Sequence, residues 1–161
     1  MTEAQHRPKW LDDMIAELGA EIGLDDLGFG DAGLFELSFD GTEIAVFDAG
    51  EAGGIVLKSA LSLPQPLPQN ALFLLHEANL STFQSGRGFV TLDLEFGCWV
   101  WTDRIDRAQL TLPHLRARLE AGAMAARDCA ARLPHLLSGS AAPTAPEAAP
   151  DPPGTDLLFR L

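Results

Sequence analysis

Phe35-Glu36-Leu37-Ser38-Phe39-Asp40-Gly41-Thr42-Glu43-Ile44-Ala45-Val46 is the stretch on which the fold turns. Phe35, Leu37 and Phe39 alternate with Glu36 and Ser38, the period of a strand with one buried face. Asp40-Gly41 is a strong two-residue hairpin turn. Glu43 to Ala49 then reads as a second strand, with Ile44 and Val46 on one face. Ala49 to Gly54 is a glycine-rich turn, and Ile55 to Leu63 supplies a third strand in which Ile55, Leu57, Leu61 and Leu63 share a face. Three strands joined by short turns make an antiparallel meander.

Helical periodicity brackets this meander. On its N-terminal side Leu11, Met14, Ile15, Leu18 and Ile22 recur at helical spacing opposite Asp12, Asp13, Glu17 and Glu21. This predicts an amphipathic helix from Lys9 to Ile22, with Pro8 tolerated at its start and Gly23 as its stop. On the C-terminal side Pro64, Pro66 and Pro68 forbid regular structure. Asn70 then caps an expected helix of about three turns carrying Leu72, Phe73, Leu75, His76 and Leu80, with Ser81 to Gly88 as a loop. Phe89 to Leu94 and Cys98 to Ile105 form a second hairpin around Glu95-Phe96-Gly97. Thr111 caps the last helix, with Pro113 in its first turn and Leu112, Leu115, Leu119, Ala123, Ala126, Ala130 and Leu133 on its apolar stripe. Pro134 is expected to end it. The fold class is therefore α+β, in one domain over residues 1–137. Residues 138–161 form an Ala/Pro-rich tail, expected to be a disordered linker up to Gly154 and closing on the apolar Leu157, Leu158 and Phe159.

Composition narrows the function. The 161 residues carry a formal net charge of -12, and such a surface repels nucleic acid and anionic membrane. Most carboxylates lie before residue 97, which offers an acidic face to a basic or amphipathic partner as well as solubility. No apolar run approaches the ~20 residues of a membrane span, and the polar Met1 to Trp10 has no secretory apolar core. Cys98 and Cys129 lie far apart in unlike contexts, as reduced thiols of a cytosolic protein.

No catalytic or metal-binding constellation emerges, and no cofactor is implied. His6, His76, His114 and His135 are scattered, without a His or Cys at ligand spacing. Asp12-Asp13 belongs to the first turns of a helix, where the macrodipole favours negative charge, and Asp25-Asp26 to a turn. Gly28-Phe29-Gly30 and Gly50 to Gly54 precede strands rather than helices, which is the wrong context for a phosphate-cradling loop. Neither cysteine has an activating histidine or a CxxC partner. Trp99 and Trp101 share one face of the fifth strand, either as core beneath the last helix or as interface anchors.

The order of elements resembles the type III secretion chaperones that bind individual effectors. The likeness begins at Trp10-Leu11-Asp12-Asp13-Met14-Ile15-Ala16-Glu17-Leu18-Gly19 and continues through Ile22-Gly23-Leu24-Asp25 and Phe35 to Gly41. Ala71-Leu72-Phe73-Leu74-Leu75-His76-Glu77-Ala78-Asn79 resembles the family's central helix, Thr91 to Trp101 its second hairpin and Thr111 to Leu133 its closing helix. The resemblance implies a cytoplasmic bacterial homodimer without enzymatic activity, ATP site or cofactor. Its partner would be the N-terminal segment of a secreted effector, wrapped in extended form and kept soluble and secretion-competent. The expected dimer interface comprises Leu72, Phe73, Leu75, His76, Leu80, Trp99 and Trp101. The expected client groove draws on Leu11, Met14, Ile15, Leu18, Phe35, Leu37, Ile44 and Val46, a set that sequence cannot divide between groove and core. The tail end, Leu157 to Phe159, is a candidate occupant of the empty groove. Two competing functions remain: a protein-binding adaptor of the same fold unconnected with secretion, and a small enzyme or ligand-binding domain using a cavity beneath Trp99 and Trp101.

Overall fold

The computed structural model describes residues 7–63, 67–84, 88–93 and 97–138, with backbone alone at residues 51 and 81–84. The tail and the turn at Glu95-Phe96 lie outside the described residues. The expected α+β order is present: helix α1 (Lys9–Ile22), strands β1 (Leu34–Phe39) and β2 (Thr42–Asp48), a single helical turn α2 (Gly50–Gly53) and strand β3 (Ile55–Leu61). Helix α3 (Ala71–Gln84), strands β4 (Phe89–Asp93) and β5 (Cys98–Ile105), and helix α4 (Leu112–Leu137) follow, the last after a short 3-10 turn at Arg107–Gln109.

The strands form one antiparallel sheet in the order β1-β2-β3-β5-β4, so the meander and the hairpin merge through the β3–β5 pair. Asp40 and Gly41 both take positive φ, 48° and 81°, the two-residue primed turn whose twist matches the strands it joins. One sheet face carries Phe35, Leu37, Ile44, Val46, Ile55, Leu57, Trp101 and Ile105, all buried. Helix α4 lies across β2, β3 and β5 on that face, while α1 packs against α4 and α3 against β4 and α4.

Local signals account for most element ends. Gly23 closes α1 with φ 78°, a left-handed cap that a side chain would strain. The Thr111 hydroxyl accepts from the His114 amide at 3.3 Å, and Pro113 occupies the first turn of α4. Two expectations are corrected. Helix α3 runs on through Ser81 to Gln84, where a loop was expected from the polar composition. Helix α4 continues past Pro134 to Leu137. Leu133 and Leu137, both buried one turn apart, carry the helix over the hydrogen bond that the proline cannot make.

Candidate functional site

Helix α3 separates two kinds of residue. Ala71 and Leu75 are buried against the core. On the other side Leu72 is 75% exposed, Phe73 61% and Leu80 51%, with His76 exposed between them. Four of the expected interface residues thus share one outward apolar stripe. The other three do not join it. Leu75 is core, Trp99 is half-buried against the core, and Trp101 is fully enclosed. A Cβ built on Gly122 of α4 would stand 2.9 Å from the Trp101 ring, and one on Gly88 equally close. The indole therefore lies directly against both backbones. Trp101 is enclosed within the single chain, on the sheet face that α4 covers.

Two exposed residues near the stripe escaped sequence reasoning. Leu92 and Phe89 on β4, the strand against which α3 packs, are 41% and 40% exposed. The register puts Leu92 on the same sheet face as Trp99 and Trp101 and Phe89 on the opposite one, and strand pattern alone does not say that β4 is a sheet edge. Asn79 fastens α3 to that edge. Its amide nitrogen donates to the Val90 carbonyl at 2.8 Å, and its oxygen accepts from the Val90 amide at 2.7 Å.

Most residues of the expected client groove lie inside the fold of the single chain. Leu11, Ile15, Leu18, Phe35, Leu37, Ile44 and Val46 are all buried. Only Met14 retains partial exposure. The physical reason is mutual satisfaction: the apolar stripe of α1 turns to α4, and α4 covers the apolar face of the meander. What α1 shows instead is Trp10 at its start, Ile22 at its end and Leu24 just beyond, all exposed, beside Asp12, Asp13, Glu17 and Glu21. On the opposite sheet face Leu34, Phe47 and Val56 form a half-buried cross-strand row. The outer edge of β1 is available as well. The hairpin register turns the backbone groups of Leu34, Glu36 and Ser38 outward. Gly30 donates to the Leu34 carbonyl at 3.0 Å, and among the described residues nothing bonds the outward groups of Glu36 or Ser38.

Charge is locked near the ends of the sheet. The nearly buried Asp48 carboxylate accepts from Arg107, from Arg7 at 3.2 Å and from the Gly50 amide at 3.0 Å. Arg7 also stacks over Phe29, 4.2 Å from the ring centre. Burial opposes ionisation of Asp48, but the Arg107 bond and charge, with the Gly50 and Arg7 bonds, outweigh it and hold the carboxyl below its ordinary pKa. Burial raises the pKa of the Cys129 thiol, with Asp128 adding to the effect and Arg132 opposing it. Among the described residues no three His, Cys, Asp or Glu gather to hold a metal, and no described helix is long and apolar enough to cross a membrane.

No curated protein matches the chain. Among solved structures, the ExsC–ExsE complex aligns with TM-score 0.65 at 21% identity, over 76% of this chain and 92% of that one. The HopA1–SchA chaperone–effector complex aligns at 0.64 with 16% identity, over 75% and 93%. The heterodimeric ExoU–SpcU complex from the type III secretion system of Pseudomonas aeruginosa aligns at 0.52 with 21% identity, over 81% and 99%. At these identities the likeness is one of fold. The family model described as Tir chaperone protein (CesT) matches residues 13–128, most of the chain and every element of the sheet. The chain belongs to the Tir chaperone protein (CesT) family.

Proposed function

We propose that this protein is a cytoplasmic chaperone for a type III secreted effector, binding the effector's N-terminal segment and keeping it soluble and competent for secretion without ATP. The family match carries this proposal. The similar solved structures are complexes, one of them described as chaperone with effector. The chaperone works as a homodimer through the outward stripe of α3, Leu72, Phe73, His76 and Leu80, extended by Leu92. A contiguous exposed apolar stripe of this kind is what a partner surface covers. The client segment lies in extended form along surfaces the fold leaves uncovered: the α1 exterior with Trp10, Met14, Ile22 and Leu24, the Leu34-Phe47-Val56 row, and the free β1 edge. An otherwise unfolded client loses entropy on binding, so several weak apolar contacts spread over a long segment suit it better than one deep pocket. The acidic side of α1 adds attraction for a basic client and a repulsive surface that keeps the complex soluble.

The test is affinity capture of the tagged protein from cells under secretion-inducing conditions. The expected result is one secreted protein in stoichiometric amount, its N-terminal segment protected from protease in the complex and unaffected by ATP depletion. Recovery of no secreted protein, or of a client bound only through its C-terminal domain, would overturn the proposal.

A further inference from the structure

The sheet has two edges, β1 and β4, and the molecule treats them differently. Among the described residues nothing bonds the outward backbone groups of Glu36 and Ser38 on β1. On β4 the register places Val90 opposite Trp101, with Asn79 bonding both the amide and the carbonyl of Val90 from outside the sheet. The Asn79 amide uses one N–H and its oxygen here, the same donor and acceptor that a residue of an added antiparallel strand would present to Val90. Two hydrogen bonds of 2.8 and 2.7 Å from one side chain therefore occupy the ladder position at Val90, the first of the two outward-facing positions of the five-residue β4. An exposed edge is a template for unwanted pairing, and proteins close such edges with charges, prolines, bulges or covering elements.

We propose that Asn79 is an edge guard: by occupying the outward donor and acceptor of Val90 it blocks continuous pairing of an added strand along β4, whereas among the described residues Glu36 and Ser38 keep the β1 edge open to an extended polypeptide. The guard explains why a polar residue sits on the sheet-facing side of α3 among apolar neighbours such as Leu75 and Ala78. It also restrains α3, so a helix-fastening role must be separated from a guarding role. The guard itself is independent of the proposed function; only the assignment of β1 to the client rests on it.

The experiment uses the full chain with Asn79→Ala, and with Asn79→Ala combined with Val90→Pro. Proline at 90 removes the outward donor while sparing the bonds to β5, because the Val90 amide points away from β5. In Asn79→Ala, hydrogen exchange at the Val90 amide should accelerate at least tenfold while the amides pairing β5 with β3 keep their protection. Light scattering should show concentration-dependent species larger than wild type, with an infrared signature of intermolecular strands. The proline variant should return the mass to the wild-type value. A wild-type mass in Asn79→Ala despite rapid Val90 exchange would overturn the guard, and so would association that the proline leaves unchanged. Should Asn79→Ala not fold, Asn79→Asp keeps the acceptor for the Val90 amide but loses the donor to its carbonyl. It should show partial association, and a wild-type mass there counts against the proposal. Where the guard holds and a client is in hand, Asn79→Ala should allow a second client strand per subunit; an unchanged ratio with intact self-association separates failure of the client assignment from failure of the guard.

Discussion

Asp48 joins three segments distant in sequence: the chain entering α1 through Arg7, the end of β2, and the turn after β5 through Arg107. Asp48→Asn keeps the shape and removes the charge, leaving the Arg107 guanidinium without its counterion, for a loss of about 3 kcal/mol at neutral pH. The pH dependence follows from a folded pKa lying below the ordinary value. Such a carboxylate contributes stability in full above its unfolded pKa and loses it as pH falls through the folded pKa. In urea unfolding followed across acid pH, the gap between wild type and Asp48→Asn should shrink below the ordinary carboxylate range; a gap constant with pH would show that the charge contributes nothing. Trp101 makes a second test at this scale. Its enclosure between Gly88 and Gly122 predicts a loss of about 3–5 kcal/mol in Trp101→Ala, read as a lower urea midpoint. An unchanged midpoint with an altered mass would instead return Trp101 to an interface. Alternation placed Trp99 and Trp101 on one face from sequence alone. Whether the last helix or a partner covers that face depends on contacts between residues far apart in the chain, and no local period records them.

Elements were legible where one strong local signal sat at each end. The expected bounds of α1 are those observed, Lys9–Ile22, because Pro8 and Gly23 punctuate a clean amphipathic period. The hairpin at Asp40-Gly41 and both strands of the second hairpin fall where alternation put them, within a residue or two. The misses lie at the C-terminal ends of α3 and α4, and in α4 tertiary packing overrides the stop. At the C-terminal end of α4, Pro134 lies inside the last turns and its nitrogen has no hydrogen to offer the carbonyl four residues back. Burial of Leu133 and Leu137 offsets that loss. Pro134→Ala should restore the bond and raise stability by about 1 kcal/mol, less than the ~3 kcal/mol of a mid-helix proline because so little helix follows. The melting midpoint checks this, and a fall on Pro134→Ala would mean that the proline shapes the end of the helix favourably.

For the whole molecule, the client and dimer sites were only partly readable, because an apolar residue in a sequence does not say whether its neighbour is its own chain or another. Leu11, Ile15 and Val46 have the same pattern value as Leu72 and Leu80, yet the first three are core and the last two face solvent. This division now separates two outcomes that sequence would have merged. Leu72→Asp and Leu80→Asp place a charge on an exposed stripe, so the fold should persist while the proposed dimer dissociates. Each substitution removes roughly 2 kcal/mol of apolar burial at the interface and adds the cost of desolvating a carboxylate, a rise in dimer Kd of at least about thirtyfold. Leu75→Asp, one turn from Leu72 on the buried side, should instead destabilise the chain itself, because an unpaired charge would enter the core. Light scattering with circular dichroism at micromolar concentration distinguishes them: helical monomer for Leu72→Asp and Leu80→Asp, lost structure for Leu75→Asp. A wild-type protein that is monomeric under these conditions, or a Leu72→Asp/Leu80→Asp double variant that remains dimeric, would remove α3 as the self-association surface and leave its stripe to the client.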